Sequence, residues 1–222
     1  MQIAGFEKNS FLDYPGHIAA VVFVPGCNMD CWYCHNRSLW KARNLIHQAY
    51  VLDYLDKRRR FLDGVVISGG EPTLHKDLPD FINRIRDMGF LVKLDTNGLR
   101  PDVVSALLGD VDYVAMDIKA PPGELRRVVS GDMDDTPIWQ TAEILMSSCV
   151  SYEFRTTFIP QLTKEDVTAI AQRIKGAKKY ILQQYRKTES IALQPDPHSA
   201  DTIKKAAQAA REFIADVTVR GL

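Results

Sequence analysis

Three of the chain's four cysteines, Cys27, Cys31 and Cys34, stand within eight positions in "PGCNMDCWYCHN". Thiolates at such spacing are metal ligands before they are anything else in a reducing compartment. Zinc ribbons use paired C-x2-C hooks, and the chain has no second hook. His35 adjoins the last cysteine, which makes simultaneous ligation awkward. A four-iron cluster held by only three thiolates leaves one iron open to a substrate, as catalytic metal sites do and structural sites do not. Three buried, unliganded cysteines are the ordinary alternative. Cys149 stands alone among small and apolar residues and reads as a core thiol.

A second group of polar residues follows at regular intervals. "SGGEP" offers Gly69 and Gly70, where the absence of a Cβ lets backbone approach closely, and Glu71 as an acceptor for an ammonium group. Asp95 and Thr96 in "LDTNG", Asp117 and Lys119 in "MDIKAP", Arg155 in "FRTTFIP" and Gln184 in "ILQQYR" each close an apolar run. Two inward carboxylates at neighbouring strand ends repel each other unless a cation joins them. A plain buried Asp–Lys pair is the simpler reading of the same residues.

The elements that position these groups alternate in type. Residues 18–24, 64–70, 91–98, 113–120, 152–160 and 179–185 are short, β-branched or aromatic runs closed by Gly, Pro or Asn, and read as strands. Helical stretches lie between them. "LPDFINRIRDMG" puts Leu78, Phe81, Ile82 and Ile85 on one stripe before Gly89, and "TKEDVTAIAQRIKG" opens with Thr163 as N-cap. Further helices are expected in "PDVVSALLG", "PIWQTAEILMSS" and "HSADTIKKAAQAAREFIA", and "VTVRG" is a seventh candidate strand. Strand and helix alternating about six times mean a parallel sheet, either open and doubly wound or closed toward a barrel. In both, functional groups collect at the C-terminal strand ends, where the residues above fall.

Composition bounds the rest. The chain has 222 residues, 45% of them hydrophobic, and 28 basic against 28 acidic residues. A zero net charge speaks against nucleic acid and membrane surfaces as general partners. "KRRR" at 57–60 reads as a solvated helix end. The longest early apolar run, Ile18–Val24, is far short of the roughly 20 residues a membrane span needs. A cytoplasmic protein is expected.

Cys27-x3-Cys31-x2-Cys34 with Tyr33 before the last cysteine, followed by "SGGEP", resembles the radical S-adenosylmethionine (SAM) superfamily. "LDYPGHIAAVVFVPGCNMDCWYCHN", "LDTNG", "MDIKAP" and "FRTTFIPQLT" are similar to activases of glycyl radical enzymes, above all those of anaerobic ribonucleoside-triphosphate reductase. The likeness runs over about residues 3–221. It implies one radical SAM core domain over residues 1–222, an α/β fold in the form of an incomplete (β/α)6 TIM-like barrel. It implies a [4Fe–4S] cluster on Cys27, Cys31 and Cys34. SAM would be contacted by Tyr33, His35, Gly69, Gly70, Glu71, Asp95, Asp117, Lys119, Arg155 and Gln184, with a monovalent cation at Asp95, Thr96 and Asp117. The implied activity is one-electron cleavage of SAM to a 5′-deoxyadenosyl radical, which takes hydrogen from a glycine of the partner enzyme. A flavodoxin or ferredoxin would supply the electron. Where a related activase has a histidine near the end of strand six, this chain has Gln184, and His198 is the candidate to compensate.

Two other readings compete. One is a radical SAM enzyme acting on a small molecule or nucleoside. The other is an electron-transfer iron–sulfur protein, which would want a fourth thiolate and so would bring Cys149 to the other three.

Overall fold

The computed structural model describes residues 1–188 and 194–222. Its strands and helices are β1 (Gly5–Ser10), β2 (Ala19–Val24), α1 (Gln48–Lys57), β3 (Gly64–Gly69), α2 (Leu78–Asp87), β4 (Leu91–Thr96), α3 (Pro101–Leu107), β5 (Tyr113–Asp117), α4 (Thr136–Ser147), β6 (Ser151–Phe158), α5 (Lys164–Arg173), β7 (Tyr180–Gln184), α6 (Ala200–Ala210) and β8 (Val217–Arg220).

The strands form one sheet in chain order, β1 to β8. β2 pairs parallel with β3, β3 with β4, β6 with β7 and β7 with β8, while β1 pairs antiparallel with β2. Strictly sequential order removes the doubly wound alternative, whose order must reverse at a switch point. An α/β fold with a mostly parallel sheet is therefore present, as the strand–helix alternation requires.

Local chemistry explains the elements. Five of the six residues of "AAVVFV" are buried, so β2 is apolar on both faces, as a covered parallel strand must be. Leu78, Phe81, Ile82 and Ile85 of α2 are all buried. The chain leaves α2 through Gly89 at φ +87°, a left-handed conformation that favours glycine. A reciprocal capping box opens α5: the Asp166 amide donates to Thr163 Oγ1 at 3.2 Å and the Thr163 amide to Asp166 Oδ2 at 2.8 Å. β1 and α1 are not visible in the hydrophobic pattern. "GFEKNS" buries none of its residues fully, and α1 buries only Val51, Leu52 and Leu55.

The contacts divide the chain into two compact units. One holds residues 1–28, 36–96 and 102–114, the other residues 29–35, 97–101 and 115–222. The division passes through β5 and through the cysteine segment, so neither unit is a continuous stretch of chain. In the first, Tyr14, Ala19, Val21 and Val66 form a buried cluster against which Phe23, Leu91 and Tyr113 pack. In the second, Glu153 on β6 is fully buried and takes two 2.9 Å bonds from Arg220 on β8. Among the described residues no helix is long and apolar enough to cross a membrane.

Candidate active site

The first unit joins "SGGEP" to the segment ahead of Cys27. The Gly70 amide donates to Val24 O at 2.9 Å, and the Glu71 amide to Gly26 O at 2.8 Å. A ring nitrogen of His75 donates to the Pro25 carbonyl at 3.0 Å, and Asn36 Nδ2 to the Gly69 carbonyl at 3.0 Å. This close seating dictates the glycines. A Cβ on Gly70 would stand 1.7 Å from Gly26 O, and one on Gly69 2.4 Å from Val24 N, with Gly69 also at φ +110°. Both glycines are thus demanded by the strand leading to Cys27, whatever ligand they also approach.

Glu71 is buried. Its Oε1 accepts from the Thr73 amide at 3.1 Å, Thr73 Oγ1 at 2.6 Å and Thr96 Oγ1 at 2.8 Å. Sequence reading assigned Glu71 to an ammonium group; in the structure this oxygen braces the turn and the end of β4. Asp95 takes the Ser68 hydroxyl on Oδ2 at 3.2 Å and lies 3.1 Å from the Lys93 ammonium through Oδ1.

The second unit gathers the other half of the expected set. Cys31 is buried and bridges to Val129, and the Cys34 amide turns back onto the Cys31 carbonyl at 3.2 Å. Tyr33 is 5% exposed, with Trp32 packed edge-on against it at 5.5 Å. His35 sits on the exposed side of this loop. Desolvation, then the Arg186 cation, lower its pKa and so favour the neutral ring.

Asp117 ends β5 between two cations. Arg155 Nε donates to Oδ1 at 2.8 Å and Lys119 Nζ to Oδ2 at 3.2 Å. Burial alone would raise the carboxyl pKa, but the Arg155 and Lys119 charges overrule it and hold it at about 2. For Lys119, burial works against the charge and is outweighed by Asp117, Tyr33 and Cys31, which keep its pKa above the ordinary value.

Gln184 ends β7. Its amide nitrogen donates to the His198 carbonyl at 2.9 Å, and its buried Oε1 has no partner. His198 stacks on Phe158 at 4.3 Å and donates from its ring to Leu162 O at 2.9 Å. Its imidazole is thereby a brace for the loop. Cys149 is exposed just beyond the C-terminal end of α4, which corrects the expectation of a core thiol.

These residues fit an iron–sulfur cluster with an organic ligand. Cys27, Cys31 and Cys34 offer thiol sulfur, the soft donor such clusters take. Trp32 Nε1 and Gln184 Oε1 are buried polar atoms without partners, a donor and an acceptor that a bound molecule would satisfy. Among the described residues no three His, Cys, Asp or Glu side chains crowd together as they would around a single ion. A cubane spreads its thiolates over separate irons and does not require that.

Sequence reasoning missed Asn36, His75 and Lys93. Lys93 and Asp95 were legible as a Lys-x-Asp pair on one face of a strand, the same spacing as Asp117-x-Lys119.

A sequence model of the Radical SAM superfamily matches residues 21–174. The chain is 33% identical over 98% of its length, and 95% of the relative's, to a protein of Methanocaldococcus jannaschii named a glycyl-radical enzyme activating enzyme. It is 30% identical to the pyruvate formate-lyase-activating enzyme of Streptococcus mutans, over 78% of this chain and 71% of that one. The crystal structure of SuiB from Streptococcus suis superposes with a TM-score of 0.72 at 11% identity, covering 90% of this chain. The chain spans about half of SuiB, 49%, and that likeness speaks for the fold alone. The chain belongs to the radical SAM superfamily, and that membership implies a [4Fe–4S] cluster and SAM. Within the superfamily its place is among the glycyl-radical enzyme activating enzymes.

Proposed function

We propose that this enzyme installs a radical on a glycine of a partner glycyl radical enzyme, the anaerobic ribonucleoside-triphosphate reductase, from one radical SAM core over residues 1–222 in the cytoplasm. The cluster and SAM supply the one-electron cleavage of a carbon–sulfur bond and, with it, a carbon radical able to take hydrogen from glycine. A flavodoxin or ferredoxin donates the electron.

The chain's own residues bind and orient. Cys27, Cys31 and Cys34 hold the cluster and leave one iron open. The Gly69–Glu71 turn fixes the backbone ahead of Cys27 and presents strand-end carbonyls to the SAM methionine group. Lys119 and Arg155, already held by Asp117, offer donors to its carboxylate. Tyr33, His35 and Gln184 complete the surround, with Gln184 Oε1 as a neutral acceptor.

The monovalent cation expected at Asp95, Thr96 and Asp117 loses its electrostatic reason. Asp95 has Lys93 and Asp117 has Lys119 and Arg155, while Thr96 donates to Glu71.

The observation that supports this reading best is the seating of Gly69–Glu71 on Val24–Gly26, which joins the glycine-rich motif to the segment that leads into Cys27. Mixing the reconstituted, reduced enzyme and SAM with anaerobic ribonucleoside-triphosphate reductase should give the doublet of a glycyl radical in electron paramagnetic resonance. Pyruvate formate-lyase in the same assay should give little. A strong signal only with the lyase would overturn the choice of partner.

A further inference from the structure

Lys93 lies midway along β4 and is 1% exposed. Its register neighbour on β3 is Val66, which pairs in turn with Val21 on β2. Side chains alternate along a strand, so Asp95 shares the face of Lys93, and Ser68 that of Val66. That face rises from the apolar cluster of Tyr14, Val21 and Val66, through Lys93, to Asp95 and Ser68 at the strand ends.

The ammonium is held on three sides. It lies 3.1 Å from Asp95 Oδ1, donates to the Asp13 carbonyl, and stands 5.9 Å from the centre of the Tyr113 ring. Ser68 takes the other Asp95 oxygen at 3.2 Å. A buried lysine is costly unless a carboxylate and good hydrogen bonds compensate it, and here both do. Ammonium and potassium ions carry the same charge at nearly the same radius. Lys93 Nζ therefore stands where a dissolved cation serving Asp95 would otherwise bind.

We propose that Lys93 is a built-in cation of this site, a positioning residue that fixes Asp95 as a charged acceptor at the end of β4 and makes ligand binding independent of dissolved monovalent metal ions. The ligand class rests on the radical SAM reading: the ammonium and ribose hydroxyls of SAM are the donors a carboxylate takes.

The test is equilibrium binding of SAM to the cluster-loaded protein, in potassium chloride and in tetramethylammonium chloride at equal ionic strength. The wild type should bind equally in both. Lys93→Met should bind about tenfold more weakly in tetramethylammonium and recover saturably in potassium, which enters the vacated place beside Asp95. The charge-balanced double variant Lys93→Met with Asp95→Asn should bind weakly in both salts. Melting without SAM is the second readout: potassium should raise the Tm of Lys93→Met and leave that of the double variant unchanged. A wild type that loses about tenfold in affinity without potassium overturns the proposal, and this holds if the single variant fails to fold. So does a Lys93→Met protein that binds like the wild type in both salts. A wild type that binds no SAM in either salt overturns the radical SAM reading instead, and melting then decides the role of Lys93 alone.

Discussion

Arg155 on β6 donates from Nε to Asp117 at the end of β5 at 2.8 Å, and Lys119 closes on the same carboxylate from the other oxygen. Two cations thus share one carboxylate.

Replacing Asp117 by Asn should remove the carboxylate that pairs with Arg155 and Lys119 and destabilise the protein by about 1–2 kcal/mol, less than a fully buried pair because the aspartate side chain is 35% exposed. The pH dependence has a definite sign. The folded-state pKa is depressed, so the stabilisation is fully present above the ordinary value of 3.8 and lost as pH falls toward about 2. Urea unfolding from pH 5 to pH 2 should show a steeper acid loss for the wild type than for Asp117→Asn. Equal slopes would refute the assignment.

Gly70→Ala should destabilise the protein even without cofactors, by ~3 kcal/mol, because its Cβ meets a backbone oxygen that has nowhere to move. Gly109→Ala meets nothing within 4 Å and should shift stability by less than about 0.5 kcal/mol. Thermal denaturation of the cluster-free proteins reads both. A Gly70→Ala protein as stable as the wild type would mean the glycine serves only the ligand.

Glu71→Ala should cost about 3 kcal/mol, since three donors lose their acceptor in a buried place. Glu71→Gln, which keeps one carbonyl oxygen, should recover much of that loss. Chemical denaturation in which the two variants fall equally would rule out the bracing role.

Cys149→Ser should retain the full iron content and visible absorbance of the reconstituted wild type. Ala at Cys27, Cys31 or Cys34 should each lower iron markedly. Loss of iron from Cys149→Ser would revive the four-thiolate, electron-transfer reading.

Much of this was legible in the sequence, and its failures share a cause. The strands from β2 to β7 announced themselves because each is a compact apolar run, and α2 and α5 because stripe and cap agreed. β1 escaped since it is a polar edge strand that gains little from burial. α1 was read only as a helix end at 57–60, because it buries only a narrow face. Lys93 was passed over because a single lysine in an apolar strand ordinarily faces water. Only the register that stacks it beneath Asp95 and Ser68 shows otherwise. Gly69 and Gly70 were read as places where backbone approaches a ligand, whereas the neighbours the structure shows against them, the backbone of Val24 and Gly26, lie more than forty positions earlier in the chain.

Radical SAM chemistry on three cysteines is what the fold and the cysteine motif together require of this enzyme. Its most direct test is anaerobic: reconstitute with iron and sulfide, reduce with dithionite, add SAM and quantify 5′-deoxyadenosine beside Cys34→Ala. The wild type should give product and the variant none. Failure of the wild type to assemble a cluster, or equal product from both proteins, would contradict it.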